Sequence, residues 1–176
     1  MTSAEKQGTV GLPRLLVTQG MHPFSQRVGR LLTAEYQLLF GDSGDLPDVL
    51  VRTGNYVKLP SPGSVSFVHE MLKSCLDRQV ELVVPLGAEE LLSMADARQL
   101  FEEYGISVCV PDRSELPDLP VVQTPPRALP LLVLLDGRPI HRVRTEIQVT
   151  GLSGVFTPAD SGDFWALCCI GESLTN

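Results

Sequence analysis

Residues 15–32 of the chain read LLVTQGMHPFSQRVGRLL and combine three local signals in a fixed order. The apolar run from Leu15 to Thr18 is rich in residues that favour strands. Gly20 then provides a turn, and Pro23 suits the first turn of a helix, where its missing N–H is not needed. The residues that follow separate into two helical faces, with Phe24, Val28, Leu31 and Leu32 on the apolar face and Gln26, Arg27 and Arg30 on the polar one. The stretch therefore predicts a strand, a glycine turn and an amphipathic helix.

The alternation of strand and helix signals continues to residue 111. Further strands are predicted at 36–40, 55–59, 82–86 and 107–110. Helices are predicted from an N-cap at Ser64 to about Gln79, from Glu89 onward, and from a cap at Asp96 to Gly105. The run LVVPL at 82–86 is wholly apolar, which is typical of a strand covered on both faces. Alternating strands and helices favour a parallel sheet with right-handed crossovers, so residues 14–111 are predicted to form one layered α/β domain.

The composition changes after residue 111. The segment PDRSELPDLPVVQTPPRALP is proline-rich and predicts an extended linker over residues 112–129. Beyond it, 131–135 and 138–149 flank Asp136-Gly137, a dipeptide typical of a β-hairpin turn. Residues 164–170 predict a third antiparallel strand, so residues 130–176 are expected to form a small antiparallel β appendage. Residues 1–13 are expected to be a flexible N-terminus.

Charge and composition exclude several classes of function. The chain has 176 residues, 43% of them hydrophobic, and a formal net charge of −7. Its pI near 4.9 argues against a nucleic-acid partner, which requires a cationic surface. No window approaches the roughly 20 apolar residues of a membrane span, and the N-terminus has no apolar signal region, so we expect no membrane partner and a cytoplasmic location.

The cysteines predict neither a metal site nor a disulfide framework. Two of them, Cys75 and Cys109, are isolated in the sequence, and the other two, Cys168 and Cys169, are adjacent. None of these spacings matches a zinc motif. We therefore expect small buried apolar side chains in a reducing compartment, and no metal or cofactor.

Two loops after predicted strands allow both a binding and a structural interpretation. Gly20 precedes a helix whose N–H groups would suit a phosphate, but the loop lacks the other glycines of a dinucleotide motif and the lysine of a P-loop. Asp42 ends the second strand, where a ribose-binding carboxylate would stand. Because the sequence DSGD recurs at 160–163, a plain turn is the stronger interpretation for Asp42. For Gly20, the alternative to phosphate binding is an ordinary turn between a strand and a helix.

The remaining polar candidates are carboxylates, histidines and arginines. Glu89 and Glu90 follow the fourth strand as a pair and either face a ligand or stabilise the helix start. His22 lies in the first loop, and Arg142 and Arg144 share one predicted strand face. No catalytic set or metal cluster can be assembled from these residues. If a ligand binds at the carboxyl edge of the sheet, the predicted lining residues are Gly20, Met21, His22, Asp42, Gly87 and Glu89.

The segment from Leu15 to Pro111 resembles the N-terminal pre-ATP-grasp domain of ATP-grasp carboligases, including the carbamoyl-phosphate synthase large-chain type. The resemblance is carried by LLVTQGMHPFSQRVGRLL, NYVKLPSP and FVHEMLKSCLDRQVELVVPLGAEELLSMADARQLFEEYGISVCVPD, in that order. It implies a three-layer Rossmann-like parallel sheet beside an ATP-grasp fold, which in that family supplies the phosphate-binding lysines.

The chain departs from that family after residue 111. Its only lysines are Lys6, Lys58 and Lys73, and the 65 residues that follow Pro111 are too few for an ATP-grasp fold. The resemblance therefore implies a non-catalytic domain that self-associates or partners a separately encoded ATP-grasp ligase. The alternative is a small-molecule or nucleotide binding module, or a minimal enzyme, that uses the carboxyl edge of the sheet.

Overall fold

A computed structural model describes residues 11–144, 149, 151–159 and 164–171. Its first sheet is parallel throughout and has the strand order β3-β2-β1-β4-β5. The strands of this sheet are β1 (Arg14–Val17), β2 (Gln37–Asp42), β3 (Tyr56–Lys58), β4 (Leu82–Val84) and β5 (Ser107–Val108). The predicted α/β class with a parallel sheet is confirmed.

Five helices accompany this sheet in the described residues, and they are α1 (Pro23–Leu32), α2 (Asp48–Arg52), α3 (Phe67–Asp77), α4 (Ala88–Asp96) and α5 (Arg98–Glu103). Two predicted caps are wrong. Helix α3 begins three residues after Ser64, whose hydroxyl instead accepts from the Ser66 N–H at 3.3 Å. Asp96 is the last residue of α4 rather than the cap of α5, and its carboxylate pairs with Arg113 at 3.3 Å. Helix α2 was not predicted, because its five residues are too few to show a helical periodicity, and none of its side chains is buried.

The second sheet is mixed rather than antiparallel, with the order β6-β10-β9-β7-β8. Its strands are β6 (Val121–Gln123), β7 (Leu132–Leu135), β8 (Arg138–Pro139), β9 (Gly154–Pro158) and β10 (Trp165–Cys169). The difference arises because β6, which lies inside the proline-rich segment, pairs in parallel with β10. The predicted strand at 164–170 is confirmed, β9 was not predicted, and a short 3-10 helix also occupies Leu116–Asp118. The domain boundaries at 111 and 129 stay a prediction.

The predicted hairpin is confirmed at its turn and wrong in its second strand. Asp136 and Gly137 have φ of 49° and 76°, the left-handed pair that a two-residue turn between β7 and β8 requires. Strand β8 ends at Pro139, ten residues before the predicted end. Beyond β8, the contact with β7 is made by a side chain: the His141 Nε2 accepts the Val133 N–H at 3.2 Å. Residues 145–148 of the predicted strand lie outside the described residues.

Both sheets contribute to the same two hydrophobic clusters. The cluster on the side of α3, α4 and α5 combines Leu16 and Val83 of the first sheet with Leu134 and Phe156 of the second. The other cluster, on the side of α1, includes Val133, Val155 and Cys168 from the second sheet. The backbone also joins the sheets, since the Ile170 N–H donates to the Leu86 carbonyl at 2.7 Å and the Ala88 N–H donates to the Ile170 carbonyl at 2.8 Å. None of the helices among the described residues combines the length and the apolar composition of a membrane span.

Candidate functional site

Three consecutive N–H groups of the loop after β1 are engaged within the protein. The Gly20 N–H donates to the Gly41 carbonyl at 2.8 Å, the Met21 N–H to Asp42 Oδ2 at 3.0 Å, and the His22 N–H to the Gln19 carbonyl at 2.9 Å. A phosphate cradle requires such N–H groups to be free for the ligand. A glycine is needed at position 20 for close packing, because a Cβ there would lie 2.8 Å from the Phe40 Cβ. The loop therefore has the geometry of a strand-to-helix turn.

Asp42 connects this loop to the end of β2. Its Oδ2 accepts the Met21 N–H, and its Oδ1 accepts the Gly44 N–H at 2.8 Å, as in an Asx turn. The Lys58 ammonium donates to the Ser43 carbonyl at 2.6 Å and covers the same turn. The Asp42 carboxylate therefore joins the loop after β1 to the turn after β2.

A buried carboxylate joins the loops after β1 and β4. Glu90 is 2% exposed, and its Oε1 accepts from Gln19 Nε2 at 2.7 Å. Its Oε2 accepts from the Thr18 hydroxyl and from the Gly87 N–H at 3.2 Å. The Thr18 oxygen in turn accepts the Leu86 N–H at 2.9 Å. The strand order of the sheet reverses between β1 and β4, so the hydrogen-bonded Gln19 and Glu90 lie beside the point where open α/β sheets commonly bind ligands.

The environment of Glu90 raises the pKa of its carboxyl above the usual range. Burial is the largest cause, because it disfavours the charged form, and the negative charge of Asp42 acts in the same direction. The hydrogen bonds from Thr18, Gln19 and Gly87 oppose this shift and lower the pKa. All three donors surround the carboxylate, and they hold it in place rather than presenting it to a ligand.

Sequence reasoning proposed Glu89 as a ligand-lining residue and did not identify Glu90 as the buried member of the pair. Glu89 is exposed on α4, whereas Glu90 points into the loops. The signal was present in the sequence, because Glu90 is the third residue after the N-cap Gly87, the position from which a glutamate reaches back to the N-cap N–H.

A cleft of about 820 Å³ lies between α1 and the segment 124–127 that follows β6. Both walls come directly after the carboxyl ends of strands, β1 on one side and β6 on the other. The charged or ionisable residues of its lining are His22, Arg27, Arg30 and Arg127, and no Asp or Glu is among the lining residues. Met21, Phe24, Pro125 and Pro126 give the same cleft apolar surface. The lining combines cationic and apolar groups, as a site for an anionic organic molecule would.

Arg27 holds the two walls of the cleft together. Its Nη1 donates to the carbonyls of Pro126 at 2.9 Å and Pro125 at 3.4 Å, and its Nη2 donates to the Leu129 carbonyl. These acceptors lie about a hundred residues away in sequence, so no local pattern indicates the contact. The segment predicted as an extended linker is therefore tied to α1 by one guanidinium.

The six residues predicted to bind a ligand are distributed over three places. Met21 and His22 line the cleft, and Gly20 and Asp42 stand in the hydrogen-bonded loops behind it. Gly87 is the N-cap beside Glu90, and Glu89 is on the exposed face of α4. His22 caps α1 through Nδ1, which accepts the Phe24 N–H at 3.1 Å, so in the neutral ring the proton is on Nε2. Sequence reasoning placed Arg27 and Arg30 on the polar face of α1 but did not connect them to a cleft.

The other polar and thiol groups do not form a second site with the residues described. Arg142 pairs with Glu35 at 3.1 Å on the surface, and His69 is exposed on α3. The four cysteines are buried and unbridged, and burial raises the pKa of Cys75, Cys109 and Cys168 to about 12. Within the ranges that the structure describes, no three His, Cys, Asp or Glu side chains converge as a metal site would require.

Comparison with known proteins does not assign the chain to a family. The sequence matches no protein-family model and no curated protein.

Proposed function

We propose that the chain is a small-molecule-binding module whose ligand occupies the cleft between α1 and residues 124–127. The observation that carries the proposal is the composition of this cleft, which places three arginines and one histidine around apolar surface without a carboxylate. The chain has 21 acidic and 14 basic residues, so its net charge is negative, yet this cleft gathers positively charged side chains. Charge focused in a concave, low-dielectric surface raises the local concentration of ligands of opposite sign.

The strand order supports a Rossmann-like, pre-ATP-grasp type for the first sheet. The order β3-β2-β1-β4-β5 reverses direction between β1 and β4, as doubly wound sheets do. Ligands of such sheets bind outside the carboxyl ends of the strands, and the cleft begins with Met21 and His22 just after β1. We place the ligand on the α1 side of this edge because the hydrogen-bonded Gln19 and Glu90 lie beside the reversal in strand order.

A thermal-shift titration with a small panel tests the proposal. We expect at least one of AMP, ATP, adenosine, glutamate and alanine to raise the melting temperature in a saturable manner. Substituting Gln26, a lining residue on the α1 wall, with Trp should abolish that shift by filling the cleft. Glu89→Ala is the matched control, because Glu89 is exposed on α4 and outside the cleft. A shift that survives Gln26→Trp, or no shift with any of the five compounds, contradicts the proposal.

A second candidate function is association, either with another copy or with a separate ATP-grasp chain. The observation that favours it is the outer edge of the first sheet. Strand β3 has one strand neighbour in the described sheet, and α2 beside it buries no side chain. Val49 and Val51 of that helix are 69% and 44% exposed. Light scattering of the purified chain tests self-association, and identification of the proteins that it retains from its native lysate tests for an ATP-grasp partner.

A cytoplasmic location is part of the proposal. It is supported by the four unbridged thiols, since disulfides persist in oxidising compartments and free buried cysteines are usual in reducing ones. Fractionation of the native cell followed by immunodetection tests it, and recovery with an exported fraction would contradict it.

A further inference from the structure

The geometry of the cleft points to a ligand that carries a phosphate group, bound by Arg30 and Arg127 across the two walls. This inference rests on the proposed function, because it names the chemical class of the molecule in the same cleft. It follows from four observations about the lining: its arrangement along α1, its charge, the engagement of Arg27, and the apolar surface beside the arginines.

The α1 wall is one continuous face of the helix. Pro23, Arg27 and Arg30 are separated by four and three residues, which places them one above the other along the helix. At 1.5 Å per residue, the wall from Pro23 to Arg30 is about 10 Å long. Arg30 belongs to the last turn of α1 and Arg127 to the opposite segment, so the two guanidinium groups approach the cleft from different walls.

The charge of this lining is not neutralised by the described part of the protein. The four ion pairs among the described residues involve Arg98 twice, Arg113 and Arg142. None includes Arg27, Arg30 or Arg127. No carboxylate lines the cleft, so an entering anion meets no like charge there.

The three arginines divide into one positioning residue and two binding residues. Arg27 donates from both Nη atoms to carbonyls of Pro125, Pro126 and Leu129, and these bonds hold the segment that carries Arg127. Arg30 and Arg127 are both exposed and donate to no protein acceptor among the described residues. Each guanidinium has five N–H donors in a fixed fork. Arg27 therefore positions the segment 124–127, and the guanidinium groups of Arg30 and Arg127 remain available to a ligand.

The number of donors favours phosphate over carboxylate. One arginine fork already satisfies both oxygens of a carboxylate, whereas two forks from opposite walls match the three oxygens and the double charge of a phosphomonoester. The N–H groups of residues 20–22 are engaged elsewhere, so we assign the recognition of the phosphate to the arginine side chains. Met21, Pro125 and Pro126 add apolar surface on which the organic part of the ligand can pack.

Isothermal titration of the full chain with AMP, adenosine, inorganic phosphate and succinate tests the inference. AMP is expected to bind and adenosine to show no detectable heat. Arg30→Gln and Arg127→Gln should each weaken AMP binding by roughly 10-fold or more, because a hydrogen bond to a charged group is worth about 1.5–3 kcal/mol. The double variant should abolish binding. Arg52→Gln, which removes an exposed arginine from α2, is the matched control and should leave the affinity unchanged.

The outcomes separate this inference from the proposed function. If adenosine binds as tightly as AMP and both arginine variants retain that affinity, the phosphate assignment is wrong while small-molecule binding stands. Succinate binding as tightly as AMP would overturn phosphate in favour of a carboxylate. Inorganic phosphate binding as tightly as AMP, with the same loss in both variants, would support the phosphate site and overturn the role of the apolar wall. If none of these probes binds and none of the five compounds of the thermal-shift titration raises the melting temperature, both proposals are wrong.

Discussion

Gln19 and Glu90, 71 residues apart in the sequence, are joined by a 2.7 Å hydrogen bond from the Gln19 amide to the buried Glu90 carboxylate. Gln19 belongs to the loop after β1 and Glu90 to the first turn of α4, so the bond fixes the two loops that flank the reversal in strand order. The same carboxylate also accepts from the Thr18 hydroxyl and the Gly87 N–H. One buried carboxylate thus accepts hydrogen bonds from both of these loops.

Removing the Glu90 carboxylate should destabilise the fold. Glu90→Ala leaves the Thr18 hydroxyl and the Gly87 N–H without their acceptor in a buried place, and we expect a loss of about 1–3 kcal/mol in the free energy of unfolding. Glu90→Gln should lose less, because its carbonyl can accept from Thr18 and Gly87 while its amide donates to a turned Gln19 amide. Urea unfolding of the three proteins measures both differences. Equal stability of the alanine variant and the native chain would contradict the network.

The raised pKa of Glu90 gives a pH dependence of defined sign. Between its unfolded pKa of 4.5 and its higher folded value, the folded state binds more protons than the unfolded state. The contribution of Glu90 to stability is therefore fully present below pH 4.5 and is lost as the pH rises through the folded pKa. The stability of the native chain minus that of Glu90→Gln should fall with rising pH and then become constant. A difference that grows with pH would show that the folded pKa is lowered instead.

Loss of the Arg27 guanidinium should release the second wall of the cleft. Arg27→Met keeps an apolar stem but removes the donors to Pro125, Pro126 and Leu129, and we expect about 1–3 kcal/mol less stability. The Leu129 N–H, which donates to the Pro126 carbonyl at 3.1 Å, should exchange faster with deuterium. Arg30→Met, on the same face of α1, is the control and should leave that exchange rate unchanged. Similar exchange rates of the Leu129 N–H in both variants would argue against a role of Arg27 in holding the second wall.

Gly137, in the turn between β7 and β8, and Gly54, in the connection between α2 and β3, form a matched pair of glycines for substitution. Gly137 and Gly54 have nearly equal φ, 76° and 78°, but a Cβ on Gly137 would overlap the Val149 carbonyl oxygen and lie 2.9 Å from the Gly151 nitrogen. A Cβ on Gly54 meets nothing within 4 Å. Gly54→Ala should cost about 1–2 kcal/mol for its left-handed backbone alone, and Gly137→Ala clearly more. Thermal unfolding distinguishes them, and equal losses would contradict the packing at Gly137.

The elements that the sequence predicts correctly are those with strong local signals. The stretch 15–32 contains its own strand, turn and helix pattern, and the Asp136-Gly137 dipeptide determines its own turn. Strand β9 was missed because GVFTP begins with a glycine and ends with a proline, so only three strand-favouring residues remain between them. Strand β6 was missed because it is an edge strand of three residues in a proline-rich segment, defined only by its pairing with β10.

The candidate site was less predictable than the fold, because it depends on contacts between distant segments. Met21 and His22 were selected from their position after β1, and that position is a local property. Arg127 joins the same cleft through long-range contacts, since Arg27 binds carbonyls 98 to 102 residues further along the chain and β6 pairs with β10. Glu90 was separable from Glu89 only through its place after the N-cap, since the two residues have the same side chain.

The most direct test of a ligand site in the cleft is a chemical-shift map of the isotope-labelled chain titrated with AMP. We predict that the amide signals of residues 21, 22 and 24–30 and of Thr124 and Arg127 shift together along one saturable curve, while those of Glu89 and of α2 do not move. Shifts confined to another surface, or no shifts at millimolar AMP, would contradict it.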